Sequence, residues 1–167
     1  MQEFELKKPE GKFIIFPREN PTLISLASIM GIVVPYSPLP GLENTGVLAP
    51  MVPVTFINGK YEFSTFALVD SGAESAVIST VIADALNIKW ERTPKKSGFS
   101  IGSSFIFHIV RNLEADIFDH NFSLNVNVVE GIFAFKCILG RRDIFKWAKI
   151  AFEGYKNQFE ITFREFN

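Results

Sequence analysis

After Pro50, the apolar residues of this chain fall in short segments that are separated by turn residues. Segments 52–57 and 61–69 flank Asn58-Gly59, and this dipeptide is the strongest short-range signal for a β-hairpin. In residues 122–128 apolar and polar side chains alternate one by one, which is the period of a strand with one buried face. So many short strands indicate a closed, mostly antiparallel β domain.

The remaining segments also predict mostly strands and little helix. A second hairpin is predicted from 113–118 and 122–129 around Asp119-His120-Asn121, and a last one from 149–152 and 158–163. Residues 80–86 read as a short helix, with Ser79 or Thr80 as its cap and Asn87 as its stop. Further strands are expected at 77–78, 104–110 and 137–139, and one helical turn at 143–147.

Length and proline content define the domain organisation. The 167 residues accommodate one domain and at most an extension. Seven of the nine prolines fall in residues 1–50, three of them in the stretch PYSPLPG, which predicts irregular structure. We therefore expect an irregular, proline-rich N-terminal arm at residues 1–50 and a folded domain at residues 51–167.

Charge and cysteine content narrow the classes of partner. Seventeen basic and eighteen acidic residues give a net charge of −1, so no basic field indicates nucleic acid. The single Cys137 cannot form an internal disulfide, and with only two distant histidines the spacing predicts no metal site. No cofactor is expected.

The most apolar stretch does not predict a membrane span. Residues 23–34 make only twelve positions between Pro21 and Pro35, whereas a spanning helix needs about 20. A buried strand or short helix is expected there, and a membrane contact is not. The N-terminus lacks the basic start and apolar core of a signal peptide, so the expected location is the cytoplasm.

Two short motifs could carry chemistry. An apolar strand, FALV, ends on Asp70-Ser71-Gly72-Ala73, and Ile138-Leu139-Gly140-Arg141 follows about seventy residues later, before the stretch RDIF. A carboxyl placed directly after a buried strand is costly unless it is hydrogen-bonded or shares a proton. The glycine of the first motif permits a tight turn that brings an N–H near the carboxylate.

In order and spacing, these motifs resemble the retropepsin family, the retroviral-type aspartic proteases. The likeness spans residues 51–163 and includes the hairpin at Asn58-Gly59; Ser71 stands where threonine is commoner. It implies a closed acid-protease barrel with one or two short helices. The implied activity is that of an aspartic endopeptidase, a hydrolase of peptide bonds whose catalytic residue here is Asp70.

The resemblance also implies an obligatory homodimer. Peptide hydrolysis by this route uses one carboxylate as a base for water and one carboxylic acid to polarise the carbonyl. Two carboxyls in contact share a proton, a behaviour for which the aspartic-protease dyad is the standard example. This chain contains one Asp-Ser-Gly, so a second copy related by a two-fold axis has to supply the other Asp70.

Other site residues follow from the same resemblance. Ser71, Gly72 and Ala73 support the active-site loop, and Glu74 is expected to pair with Arg141, joining that loop to the terminal helix. A glycine- and serine-rich stretch between two strands is expected to close over a peptide substrate as a flap. Its tip consists of Gly98, Phe99, Ser100, Ile101 and Gly102.

Three alternatives stay open at the level of sequence. The domain could be a catalytically silent, retropepsin-like dimerisation or peptide-binding module. The arm could cover the cleft as an inhibitory segment, or it could add strands to the barrel. Residues 98–102 also match G-x-S-x-G, the serine-hydrolase nucleophile elbow, but that motif requires a strand before it and a helix after it, whereas strands are expected on both sides here.

Overall fold

A computed structural model of the protein describes residues 31–39, 42–100, 103–130 and 137–164. Two short α-helices, α1 (Thr80–Ala85) and α2 (Ile144–Trp147), accompany 3-10 turns at Glu43–Thr45, Trp90–Arg92 and Gly154–Lys156. The strands, in chain order, are β1 (Ile32–Pro35), β2 (Ser37–Pro38), β3 (Leu48–Ala49), β4 (Met51–Asn58), β5 (Tyr61–Val69), β6 (Ala76–Ser79), β7 (Lys95–Ser100), β8 (Ser103–Ile117), β9 (His120–Val129), β10 (Cys137–Leu139), β11 (Ala148–Glu153) and β12 (Gln158–Phe163).

Most of the strands belong to one sheet that closes on itself. Its order is β4-β5-β10-β6-β9-β8-β7, and β4 also pairs with β8. Six strands therefore form a ring, and β7 extends from β8 outside it. The predicted class, a mostly β fold with one or two short helices, is confirmed for the described residues, which contain two.

The predicted hairpins form where the turn residues indicated. β4 and β5 pair from Met51↔Leu68 to Asn58↔Tyr61, and Gly59 has a φ of 61°. In the β8–β9 turn, Phe118 and Asp119 both have positive φ, as a two-residue turn of the primed type requires. The turn is therefore shorter than the predicted one, and His120 already belongs to β9.

The strand predicted to end at Val110 continues past that residue. β8 is one strand of 15 residues, with a register irregularity between Val110 and Leu113. Asn112 lies there with a φ of 55°, a conformation that asparagine tolerates. Because an extra residue shifts the alternation of side chains, the positions of β8 that face inward differ before and after the irregularity.

The buried apolar residues of the ring form one core cluster with residues of the two helices and of β11 and β12. The alternation in β9 is confirmed: Leu124, Val126 and Val128 are buried, whereas Ser123 and Asn125 are exposed. Helix α1 adds its buried residues Ile82 and Ala83. Ser79 occupies its N-cap position without a capping hydrogen bond from the side chain, and Asn87, with a φ of 53°, follows its end.

Part of the predicted irregular arm is ordered as a strand. β1 pairs antiparallel with β12, from Ile32↔Ile161 to Pro35↔Gln158, and β12 pairs with β11 on its other side. Ile32 and Val34 pack against the main core. These residues therefore differ from the irregular structure predicted for 1–50, because β1 pairs with the free edge of β12 and directs Ile32 and Val34 toward the core.

The segment between β1 and β4 makes a second local contact. β2 and β3 pair with each other, and Leu39 and Ala49 form a small buried cluster with Met51, against which Leu68 packs. Leu39 and Ala49 thereby lie against the end of β5. Residues 1–30, which include most of the apolar stretch 23–34, lie outside the described residues.

Within the described ranges, no helix combines the length and apolarity needed to cross a membrane.

Substitutions on the two faces of β1 test whether this strand belongs to the domain. Val34→Asn places an amide against the core and is expected to lower the free energy of unfolding by about 1–3 kcal/mol. Val33, with 57% exposure, provides the matched control, and Val33→Asn should change the value by less than about 0.5 kcal/mol. Equal effects of the two variants in urea unfolding would contradict the pairing of β1 with β12.

Candidate active site

The candidate site forms where β10 is inserted between β5 and β6. β10 runs parallel to β5, with Leu139 opposite Val69, and antiparallel to β6, with Ile138 opposite Val77. Residues 70–75, which connect β5 to β6, therefore cross over the end of β10. The two motifs singled out in the sequence therefore lie side by side, and the Asp70 N–H donates to the Leu139 carbonyl at 3.0 Å.

The Asp70 carboxylate is held by its own loop. The Gly72 N–H donates to Asp70 Oδ1 at 2.8 Å, and the Ala73 N–H donates to the Asp70 carbonyl at 3.2 Å. A Cβ at residue 72 would lie 3.1 Å from Oδ1, which explains why glycine suits this position. Asp70 stays half-buried and Ser71 is exposed, so the carboxylate is oriented and yet accessible from one side.

Gly140 allows the two motifs to touch through their backbones. A Cβ at this position would lie 2.8 Å from both the Ala73 carbonyl oxygen and the Ser75 nitrogen. Because backbone atoms cannot move aside as a flexible side chain does, only glycine fits without a shift of the loop. This contact is the physical reason for a glycine directly after the apolar pair Ile138-Leu139.

Further hydrogen bonds join the two motifs beyond the glycine. The Arg141 N–H donates to the Ala73 carbonyl at 3.0 Å, and the Arg142 N–H donates to the Glu74 carbonyl at 2.9 Å. The guanidinium of Arg141 also donates to the Ser71 carbonyl at 3.2 Å. The predicted supporting residues 71–74 and 141 are thus brought together around Asp70.

The predicted ion pair between Glu74 and Arg141 is wrong in its basic partner. Arg142 Nη2 lies 2.7 Å from Glu74 Oε1, whereas Arg141 turns to the Ser71 carbonyl. Both charged groups of the actual pair are mostly exposed, so the pair contributes at most about 1 kcal/mol. Two consecutive arginines made the assignment ambiguous, and the direction of each side chain decides it.

Sequence reasoning missed the carboxyl of Asp143. This residue is 3% exposed and stands in the N-cap position of α2 without capping it. Its Oδ2 accepts from the Gly140 N–H at 3.4 Å, and the backbone amide of Ala76 also stabilises its charged form. Burial raises its pKa to about 6, against the lowering effects of these two amides and of Arg142. An acid directly before an apolar helical turn was the signal that could have found it.

The predicted flap is a hairpin of β7 and β8. The two strands pair from Lys95↔His108 to Ser100↔Ser103, so the G-x-S-x-G match has a strand on both sides and lacks the geometry of a nucleophile elbow. Phe99 is 87% exposed, and a Cβ on Gly98 would lie 2.7 Å from Phe105 Cζ. Ile101, Gly102 and the side chain of Ser100 lie outside the described residues.

His108 anchors the base of this hairpin. Its Nε2 lies 3.1 Å from Glu130 Oε1 at the end of β9, and its ring meets Trp90 edge-on at 5.0 Å between centroids. Among the described residues, no hydrogen bond joins β7 to the Asp70 loop. The structure therefore brings residues 70–74 and 141 into one cluster and leaves Gly98 and Phe99 on a separate element.

In the part of the chain that the structure describes, no three His, Cys, Asp or Glu side chains are arranged to hold a metal ion. The sequence matches no protein-family model and no curated protein.

The contact at Gly140 gives a direct stability test. In Gly140→Ala the new methyl group pushes the backbone of residues 73–75 away from residue 140. The substitution should lower the free energy of unfolding by about 1–3 kcal/mol, the usual cost of overpacking. Gly154→Ala is the matched control, because a Cβ there meets nothing within 4 Å. Equal stability of the two variants in denaturant titrations would show that residues 73–75 do not lie against Gly140.

Proposed function

We propose that the protein is an aspartic endopeptidase that acts as a homodimer, with a water activated between two Asp70 carboxyls, one from each subunit. The observation that supports this most is the fixed position of the Asp70 carboxylate at the junction of β5 and β10. In this proposal the ring of strands corresponds to a retropepsin-like barrel, and the β7–β8 hairpin is the flap over a peptide substrate.

The hydrogen bonds of the Asp70 loop support a catalytic role. General acid–base catalysis requires a group that is positioned before the substrate arrives. The Asp70 N–H donates to the Leu139 carbonyl, and the Gly72 N–H donates to the Asp70 carboxylate. The Arg141 guanidinium donates to the Ser71 carbonyl, which follows Asp70 in the chain.

In this proposal the second carboxyl comes from another chain. Asp143 is buried and accepts from the Gly140 N–H, and Glu74 is paired with Arg142. Neither of these two acids is placed to share a proton with Asp70. A two-fold axis that passes beside the exposed Ser71 and Gly72 would bring two copies of the Asp70 loop together, since the contact across such an axis is the same on both sides.

The chemistry of the pair then follows from like charges in contact. Two adjacent carboxyls hold one proton between them, and their titration belongs to the pair. The ionised member takes a proton from water, and the protonated member donates to the peptide carbonyl as the tetrahedral intermediate forms. The exposed hydroxyl of Ser71 is available to bond across the two loops and hold them together.

Loss of the carboxylate should abolish cleavage. Asp70→Asn keeps the shape of the side chain but cannot activate water, so cleavage of a peptide library should fall by about 10²–10⁴-fold or below detection. Asp84→Asn is the matched control, because Asp84 is an exposed aspartate whose Oδ1 accepts from the Trp90 indole, a bond that asparagine retains.

Mixing experiments separate a dimer from a monomer. Excess Asp70→Asn chains should lower the activity per wild-type chain, because mixed dimers contain one carboxyl. Activity per wild-type chain that is unchanged by mixing would contradict the shared site. A folded dimer that cleaves no peptide in the library at any pH would favour the alternative, a catalytically silent dimerisation or peptide-binding domain.

A further inference from the structure

We propose that Asp143 is a positioning residue whose charged carboxylate fixes the Asp70 loop from beneath, so that the order of the site depends on a group that does not touch the substrate. The inference deepens the function proposed above and rests on it only where cleavage is the readout. The geometry of the Asp70 loop can be measured without any activity.

Asp143 connects the two strands that hold the loop. The Ala76 N–H belongs to the first residue of β6, directly after the loop, and the Gly140 N–H directly follows β10. One carboxyl therefore accepts a hydrogen bond on the β10 side of the junction and is stabilised by a backbone amide on the β6 side. Gly140 is also the residue whose backbone packs against residues 73–75.

The surroundings of this carboxyl act on its charge in two opposite directions. Burial favours the neutral acid, whereas the two amides favour the carboxylate. When the junction opens locally while Asp143 stays buried, its carboxyl loses the interaction with the two amides but remains shielded from water. The carboxylate then resists this opening more than the neutral acid does, because only the carboxylate loses a charge-assisted bond.

The titratable and charged groups around Asp143 do not replace this role. Arg142 lowers the pKa of Asp143, but its guanidinium forms an ion pair with Glu74 at 2.7 Å. On β10 the Cys137 thiol is buried, and burial together with Asp143 raises its pKa far above the ordinary value, so it stays neutral. Arg141 bonds to the Ser71 carbonyl.

Global stability and local order should respond to pH in opposite directions. The pKa of Asp143 is about 6 in the folded protein, above the value of about 3.9 for an unfolded aspartate. The folded state therefore holds more protons between these values, and Asp143 makes global stability fall as pH rises through this window. Local protection of the Asp70 loop should instead rise over the same window, as the carboxylate forms.

Hydrogen exchange of the full chain tests this difference. The reporters are the amides of Asp70, Arg141 and Arg142, which bond across the junction but not to Asp143. Their protection factors in the wild type should rise by about three- to tenfold from pH 5 to pH 7. A tenfold rise corresponds to an Asp143 pKa that is about one unit higher in the opened junction than in the intact one. In Asp143→Asn they should stay at the low-pH value, while denaturant unfolding shows less loss of stability with pH. Asp84→Asn should behave as the wild type.

The outcomes are distinct. Wild-type protection factors that are flat or fall with pH would overturn the proposal, and this holds even if Asp143→Asn does not fold. Equal protection in Asp143→Asn and the wild type at pH 7 would also overturn it. If the exchange result is as expected but no peptide is cleaved, the proposed function fails and the role of Asp143 stands. If peptides are cleaved, Asp143→Asn should reduce kcat/KM at pH 7 and match the wild type at pH 5.

Discussion

The close approach of Gly140 to the backbone of residues 73–75 is the constraint on which the rest of the site depends. Because the glycine has no side chain, the end of β10 can lie directly under the loop that leaves β5. The backbone hydrogen bonds of Asp70, Arg141 and Arg142 across this junction require this close approach of the two backbones. The sheet order requires it too, because β10 lies between β5 and β6 and the loop that joins these two strands has to pass over its end.

The two acids at this junction show how burial assigns different properties to the same side chain. Asp70 is half-buried, and its carboxylate is supported by a neighbouring amide. Asp143 is almost fully buried, and desolvation acts against its charge. A buried carboxylate without an ion pair of its own lowers stability near neutral pH. Natural proteins keep such groups mostly where geometry matters more than stability.

Local signals in the sequence predicted most of the elements, because they arise from neighbouring residues. Asn58-Gly59 determines a turn by its own conformational freedom, and the alternation in β9 is visible without knowledge of its partners. The juxtaposition of Asp70 with Gly140 was also predictable, since it came from two motifs in a known order. The retropepsin-like fold and function themselves stay predictions.

Features that depend on side-chain direction or distant partners could not be predicted in the same way. Nothing local distinguishes Arg141 from Arg142 as the partner of Glu74. The burial of Asp143 depends on β6 and β10, which lie far apart in the chain. The sequence allowed a strand or short helix within residues 23–34, but it could not identify the partner of Ile32–Pro35, because β12 lies at the opposite end of the chain.

The insertion of β10 between β5 and β6 also has a consequence for folding. The two flanking strands are only six residues apart in sequence, yet they are joined through a strand about seventy residues further on. Contacts of such long sequence separation require the loop-closure entropy to be overcome before they form. The Asp70 loop therefore cannot adopt its final geometry until Cys137–Leu139 has been synthesised and has entered the sheet. During translation, the chain carries its Asp-Ser-Gly motif long before it carries an assembled site.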